Sequence, residues 1–152
     1  FAATLSAGAG YTWSVPTFTS INLIQRPIYE TRWLDFSPVY SSNGSMTFTV
    51  DADLMHKYQV SGNNVNINFR VDGTTGGTAA GAIHVTIPFV LTTANSRGAC
   101  YAYDYDTLSY RVGWYDTSDT SNTLKIYKID TTNWGISGNK EIGLNATLAL
   151  NI

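Results

Sequence analysis

Residues 57–89, KYQVSGNNVNINFRVDGTTGGTAAGAIHVTIPF, decide the fold of this chain. Val65, Ile67, Phe69 and Val71 alternate with Asn64, Asn66, Asn68 and Arg70, and further on Ile83, Val85 and Ile87 alternate with His84 and Thr86. A period of two puts one set on a core and the other in water, as a half-buried strand requires. A helical period of 3.6 would scatter the same apolar side chains around a cylinder. Between the first two strands, Ser61-Gly62-Asn63-Asn64 supplies residues that tolerate positive φ, so these strands pair as a hairpin.

Outward from that stretch the same pattern repeats. The spacing predicts strands over about 33–40, 45–51, 56–61, 64–72, 82–90, 98–105, 108–115, 122–129 and 140–151. A single helical turn is the alternative at Ala52-Asp53-Leu54-Met55. Turn chemistry marks Ser42-Asn43-Gly44, Asp72-Gly73, Asp116-Thr117-Ser118-Asp119 and Ser137-Gly138-Asn139, and Gly73 to Gly81 reads as a glycine-rich loop. About nine short strands without a helical stretch predict an all-β antiparallel fold, a sandwich, jelly roll or barrel. In the last strand Ile142, Leu144, Ala146, Leu148, Leu150 and Ile152 share one face, which places it in the core or at a subunit interface. Residues 1–30, rich in small residues and interrupted by Pro16 and Pro27, read as a linker or the end of a shaft with a lead-in strand. The domain proper is then 31–152.

Composition narrows the function. Charged residues make up 13% of the 152 and the net charge is −2, which leaves no basic footprint for nucleic acid. No apolar run is long enough for a membrane-spanning helix, so no membrane insertion is expected. Cys100 is the sole cysteine, so no intrachain disulfide forms, and it reads as a buried structural thiol. His56 and His84 lack partners at zinc-ligand spacing, and Asp104, Asp106, Asp116 and Asp119 do not follow a calcium-loop pattern. No metal and no cofactor are therefore expected. There is no G-x-S-x-G or H-E-x-x-H motif, Glu30 and Glu141 are the chain's glutamates, and the GTTGG loop lacks the lysine and helix of a phosphate cradle. The chain reads as non-enzymatic.

Ala99–Tyr115, ACYAYDYDTLSYRVGWY, carries five tyrosines and a tryptophan. Tyr101, Tyr103 and Tyr105 share one face of a strand, and Cys100, Ala102 and Asp104 the other. On the next strand Leu108, Tyr110, Val112 and Trp114 oppose Ser109, Arg111, Gly113 and Tyr115. Part of this set must pack on the core. The remainder forms an exposed aromatic row, suited either to stacking on pyranose sugars, with Asp, Asn and Arg bonding the hydroxyls, or to a subunit interface. The candidate ligand-binding residues are Tyr101, Tyr103, Tyr105, Arg111, Tyr115 and Trp134.

Five pieces in order then carry a family likeness: Trp33-x-Asp35-Phe36-x-Pro38, Gly44-Ser45-Met46-Thr47-Phe48-Thr49, Tyr58-x-Val60-x-Gly62-Asn63-x-Val65, Gly73-Thr74-Thr75-Gly76-Gly77-Thr78 and Ile87-Pro88-Phe89. Together they resemble the C-terminal head of bacteriophage tail fibres and related receptor-binding proteins. The resemblance covers about residues 33 to 90, and more loosely the rest. It implies a TNF-like jelly roll, a homotrimer at the virion's fibre tip joined to the rest of the tail fibre, and attachment to a host cell-surface glycan or protein. A structural trimerising tail or baseplate domain, and a carbohydrate-binding module of a bacterial surface or secreted protein, are the other readings.

Overall fold

The computed structural model describes residues 32–91, 96–107, 111–117 and 122–151. The expected linker and lead-in strand at 1–30, and Leu108, Ser109, Tyr110, Asp119 and Ile152, lie outside the described residues. Nine strands are present and no helix occurs among the described residues: β1 Leu34–Asp35, β2 Val39–Ser42, β3 Thr47–Ser61, β4 Asn64–Gly76, β5 Ala82–Thr86, β6 Arg97–Asp104, β7 Gly113–Asp116, β8 Thr123–Lys128 and β9 Asn139–Ala149. They form one curled antiparallel sheet in the order β1-β3-β4-β9-β6-β7-β8-β5-β2.

These nine strands are not the nine that the spacing predicts. The first expected strand is two, β1 and β2, which lie at opposite edges of the sheet. The second and third are one long strand, β3, and Ala52-Asp53-Leu54-Met55 is neither turn nor helix. It carries two register shifts against β4, between Val50 and Ala52 and between Asp53 and Met55. Such bulges break the apolar alternation and bend the strand while the ladder continues on either side. Asp72-Gly73 is likewise not a turn: β4 runs through it to Gly76, and Gly77 takes the positive φ of 78° where the strand ends. The β3–β4 hairpin has Ser61 opposite Asn64 and Gly62 at φ 59°, as the sequence predicts.

The curl originates in β6. Its first half, Arg97 to Cys100, pairs with β7, while its second half, Tyr101 to Asp104, pairs with β9. A strand that changes partners midway turns a corner, so the β1-β3-β4-β9 half and the β7-β8-β5-β2 half bring their inner faces together. Both halves fill one core: Val65, Ile67, Phe69 and Val71 from β4, Ile142, Leu144 and Leu148 from β9, and Ile83, Val85, Leu124 and Ile126 from β5 and β8. β9 lies between β4 and β6, which accounts for the length of its apolar face.

Side chains join the two edges of the curl. The Tyr40 hydroxyl on β2 bonds His56 Nε2 on β3, and the Tyr40 and Phe48 ring centroids are 5.3 Å apart. Ser42 Oγ also donates to the Met46 carbonyl. The segment after β8 is pinned by Trp134, whose backbone N–H donates to the Ala80 carbonyl at 2.9 Å and whose indole donates to the Ile126 carbonyl at 3.3 Å. Its side chain is completely buried.

Candidate functional site

The candidate site lies on the outer face of β4, β9 and β6, and strand register assembles it. Arg70, Gly143 and Tyr101 form one row across the three strands, and Asp72, Glu141 and Tyr103 form the next. The inward set at these strands, Phe69, Val71, Ile142, Ala102 and Asp104, is buried, so alternation obliges these neighbours to face out.

Glu141 organises the face. Its carboxylate is 4% exposed although it belongs to the outer side, because ligating groups cover it. Arg70 bonds Oε1, and the Tyr101 and Tyr105 hydroxyls donate to Oε2 at 3.1 and 3.2 Å. Gly143 has no side chain between Arg70 and Tyr101, and the guanidinium reaches over the Tyr101 ring, 5.5 Å from its centroid. Arg111 lies over Tyr103 at 5.0 Å, and Tyr103 meets Tyr105 edge to face at 4.4 Å. Burial, with the Glu141 charge and hydrogen bonds, pushes the Tyr101 and Tyr105 phenols above their ordinary pKa. Burial and the Glu141 charge raise the Asp72 carboxyl as well. Both tyrosines therefore stay neutral donors at physiological pH.

Beside this array runs a groove of about 460 Å³, bordered by Met55, Asn68, Arg70, Tyr101, Val112 and Asn145, with Gly143 in its lining. Its size falls within the range of small-ligand clefts, which combine apolar walls with a few placed polar groups.

Of the residues singled out from sequence, Tyr101, Tyr103, Tyr105 and Arg111 come together here. Tyr115 and Trp134 do not. Tyr115 is 7% exposed and Trp134 has no exposed surface, so both are core residues. Tyr115 points inward with Gly113 on β7, whereas Arg111 precedes that strand and swings to the outer face. Alternation counted through 108–115 puts Arg111 and Tyr115 on one side, but β7 begins only at Gly113. Sequence reasoning missed Arg70 and Glu141 as members of the site. Each is separated from the tyrosines by about thirty residues or more, and β-sheet register alone joins them.

Two further clusters lie off this face. On the outer side of β7 and β8, Trp114 and Tyr127 stack in parallel, centroids 4.0 Å apart and planes within 6°, with Arg97 over Trp114 at 5.7 Å. One face of each ring is covered by the other. Near the end of β6, Lys140 contacts Asp104 at 3.0 Å and Asp106 at 3.1 Å, and Lys128 lies 3.6 Å from Asp104. Asp104 also accepts the Gly135 and Asp106 backbone N–H groups. Burial drives the Asp104 carboxyl upward, but these hydrogen bonds and the Lys140 charge outweigh it and hold the group below the usual carboxylate range. This network fixes the Trp134 segment to the sheet. Among the described residues no group of three or more His, Cys, Asp or Glu is arranged to hold a metal ion, and no helix is long and apolar enough to cross a membrane. The Cys100 thiol, buried, is pushed up to about 12.

Comparison of the chain with protein-family models, with curated proteins and with solved structures found no match.

Proposed function

We propose that the protein is a non-enzymatic receptor-binding head, carried at the tip of a phage tail fibre, that attaches to a host cell-surface glycan through the outer face of β4, β9 and β6. One observation carries the reading: three tyrosines and two arginines are held around the covered Glu141 carboxylate beside an open groove. Aromatic rings with adjacent donors suit a pyranose, which offers an apolar C–H face and a hydroxyl edge. The likeness of residues 33–90 to tail-fibre heads supplies the setting, an extracellular-facing homotrimer on the virion. In that setting the two halves of the curled sheet are the layers of a jelly-roll sandwich. Three copies per fibre would multiply a weak single-site affinity.

The test is competition. Soluble protein at saturating dose blocks phage adsorption to susceptible cells, and Tyr103→Ala, folded by circular dichroism, loses that block. Unchanged adsorption in the presence of the parent protein favours a structural tail domain instead. Glycan binding without any effect on adsorption favours a carbohydrate-binding module. Light scattering is expected to give three times the 16.6 kDa chain mass, and a monomer at micromolar concentration overturns the trimer.

A further inference from the structure

We infer that the groove takes an uncharged pyranose, and that Asn68 and Asn145 read its hydroxyls; this rests on the glycan-binding reading above and narrows it to a ligand class. The two asparagines are directly opposite one another on β4 and β9, one row from the Arg70–Gly143–Tyr101 row, and both border the groove. One row further along, the equivalent amide is spent within the protein: Asn66 accepts from Thr147 Oγ1 at 2.6 Å and its amide nitrogen lies 3.5 Å from Gln59 Oε1. Asn68 and Asn145, by contrast, are not tied to any other side chain among the described residues, and both reach solvent. Each offers one acceptor and two donor hydrogens. Two adjacent free amides can bond vicinal hydroxyls, each of which both gives and takes a hydrogen bond.

The apolar part of the recognition is on the same groove. Met55 and Val112 border it, and the Tyr101 ring stands at its side. Charge argues for a neutral ligand. Arg70, the charged residue bordering the groove, is matched by Glu141. Lys57, opposite Asn68 on β3, is matched by Asp35 at 2.7 Å. A sugar carboxylate entering the groove would give up hydration without an uncommitted cation to replace it. Arg111, over Tyr103, is outside the groove lining.

Calorimetric titration of the full chain with methyl glycosides of glucose, galactose, mannose and N-acetylglucosamine, alongside N-acetylneuraminic and glucuronic acids, decides the matter. The expected result is binding of at least one neutral glycoside, insensitive to added salt, and weakened roughly three- to tenfold by Asn68→Ala and by Asn145→Ala. Both substitutions are on the solvent side, and an unchanged unfolding midpoint will establish that the variants are folded. Preferential, salt-sensitive binding of the acidic sugars, lost in Arg111→Ala, overturns the inference and leaves glycan binding standing. Neutral binding that both asparagine variants retain in full also overturns it, placing the ligand elsewhere. If no sugar binds at millimolar concentration, the glycan reading itself falls and takes the inference with it.

Discussion

Lys140 Nζ lies 3.0 Å from Asp104 Oδ1, and neither side chain has any exposed surface. A pair so buried is held by its hydrogen bonds: Asp104 accepts from Gly135 and Asp106, and Lys140 donates to the Ser137 and Gly138 carbonyls and to Asp106. Replacing Asp104 leaves Lys140 in the interior with Asp106 as its remaining carboxylate, and losing the buried charge-assisted pair costs about 1.5–3 kcal/mol. Asp104→Asn is therefore expected to lower stability in urea unfolding by that amount. The parent's acid limb follows from the depressed Asp104 value. The unfolded chain takes up the proton first, so the contribution is complete above about pH 4 and disappears as the pH falls through the folded value. In the asparagine variant this part of the acid limb is absent.

The seam between β2 and β3 has its own pH response. His56 is held between the Asp53 carboxylate at Nδ1 and the Tyr40 hydroxyl at Nε2, against the Phe36 and Phe69 rings. Burial lowers its pKa and the Asp53 charge offsets this only in part. A lowered histidine is neutral in the folded state while the unfolded chain gains a proton, so stability is full above about pH 6.5 and declines as the pH falls below it. The unfolding midpoint is expected to drop between neutral and mildly acidic pH. Tyr40→Phe should lower stability by about 1 kcal/mol at neutral pH, and His56→Gln should flatten the slope. A slope unaltered by His56→Gln would place the titration elsewhere.

Close strand approach gives a third prediction. A Cβ on Gly113 would collide with the Tyr127 carbonyl and the Ala102 side chain, where β7 is pressed against β8 and against β6 at its corner. Neither the backbone oxygen nor Ala102 can rotate away. Gly113→Ala should destabilise by about 1–3 kcal/mol. At Gly81 the nearest atom to an added Cβ is Asn133 Oδ1 at 3.7 Å, so Gly81→Ala should remain within about 0.5 kcal/mol of the parent. Chemical unfolding of the two variants side by side checks both.

What was legible in the sequence was whatever depends on neighbours one or two residues away. Alternation separated the two faces of β4, β9 and β6 correctly, with Cys100, Ala102 and Asp104 on one side and Tyr101, Tyr103 and Tyr105 on the other, but which of the β6 sets is buried came only from the folded sheet. It failed where local period and ladder part company: the bulges at Ala52 to Met55 hid a continuous β3, and extrapolation across 108–115 misplaced Arg111 relative to Tyr115. The remainder was set by pairing. Glu141 looks like any outward residue of β9 until register puts Tyr103 opposite it and Arg70 one row away. Trp134 has the composition of a loop aromatic, and its burial depends on Ala80 and Ile126, which approach it only in the folded sheet.

Glu141 also supplies a prediction for the candidate site. Its carboxylate is the common acceptor for Tyr101 and Tyr105 and the counterion of Arg70, and its charge adds to burial in raising both phenols. Glu141→Gln keeps the shape and one acceptor oxygen but removes the charge. The tyrosinate absorbance of the folded variant should therefore develop at lower pH than that of the parent, because ionising Tyr101 or Tyr105 no longer creates an anion beside another. Asp72, raised partly by the same carboxylate, should titrate lower too, as side-chain carboxyl NMR shifts can follow. Arg70, its partner gone, is expected to release its hold over Tyr101, and ligand affinity should fall even though the altered residue does not border the groove. A variant with unshifted tyrosine titration would show that burial alone raises these phenols and that Glu141 does not organise the face.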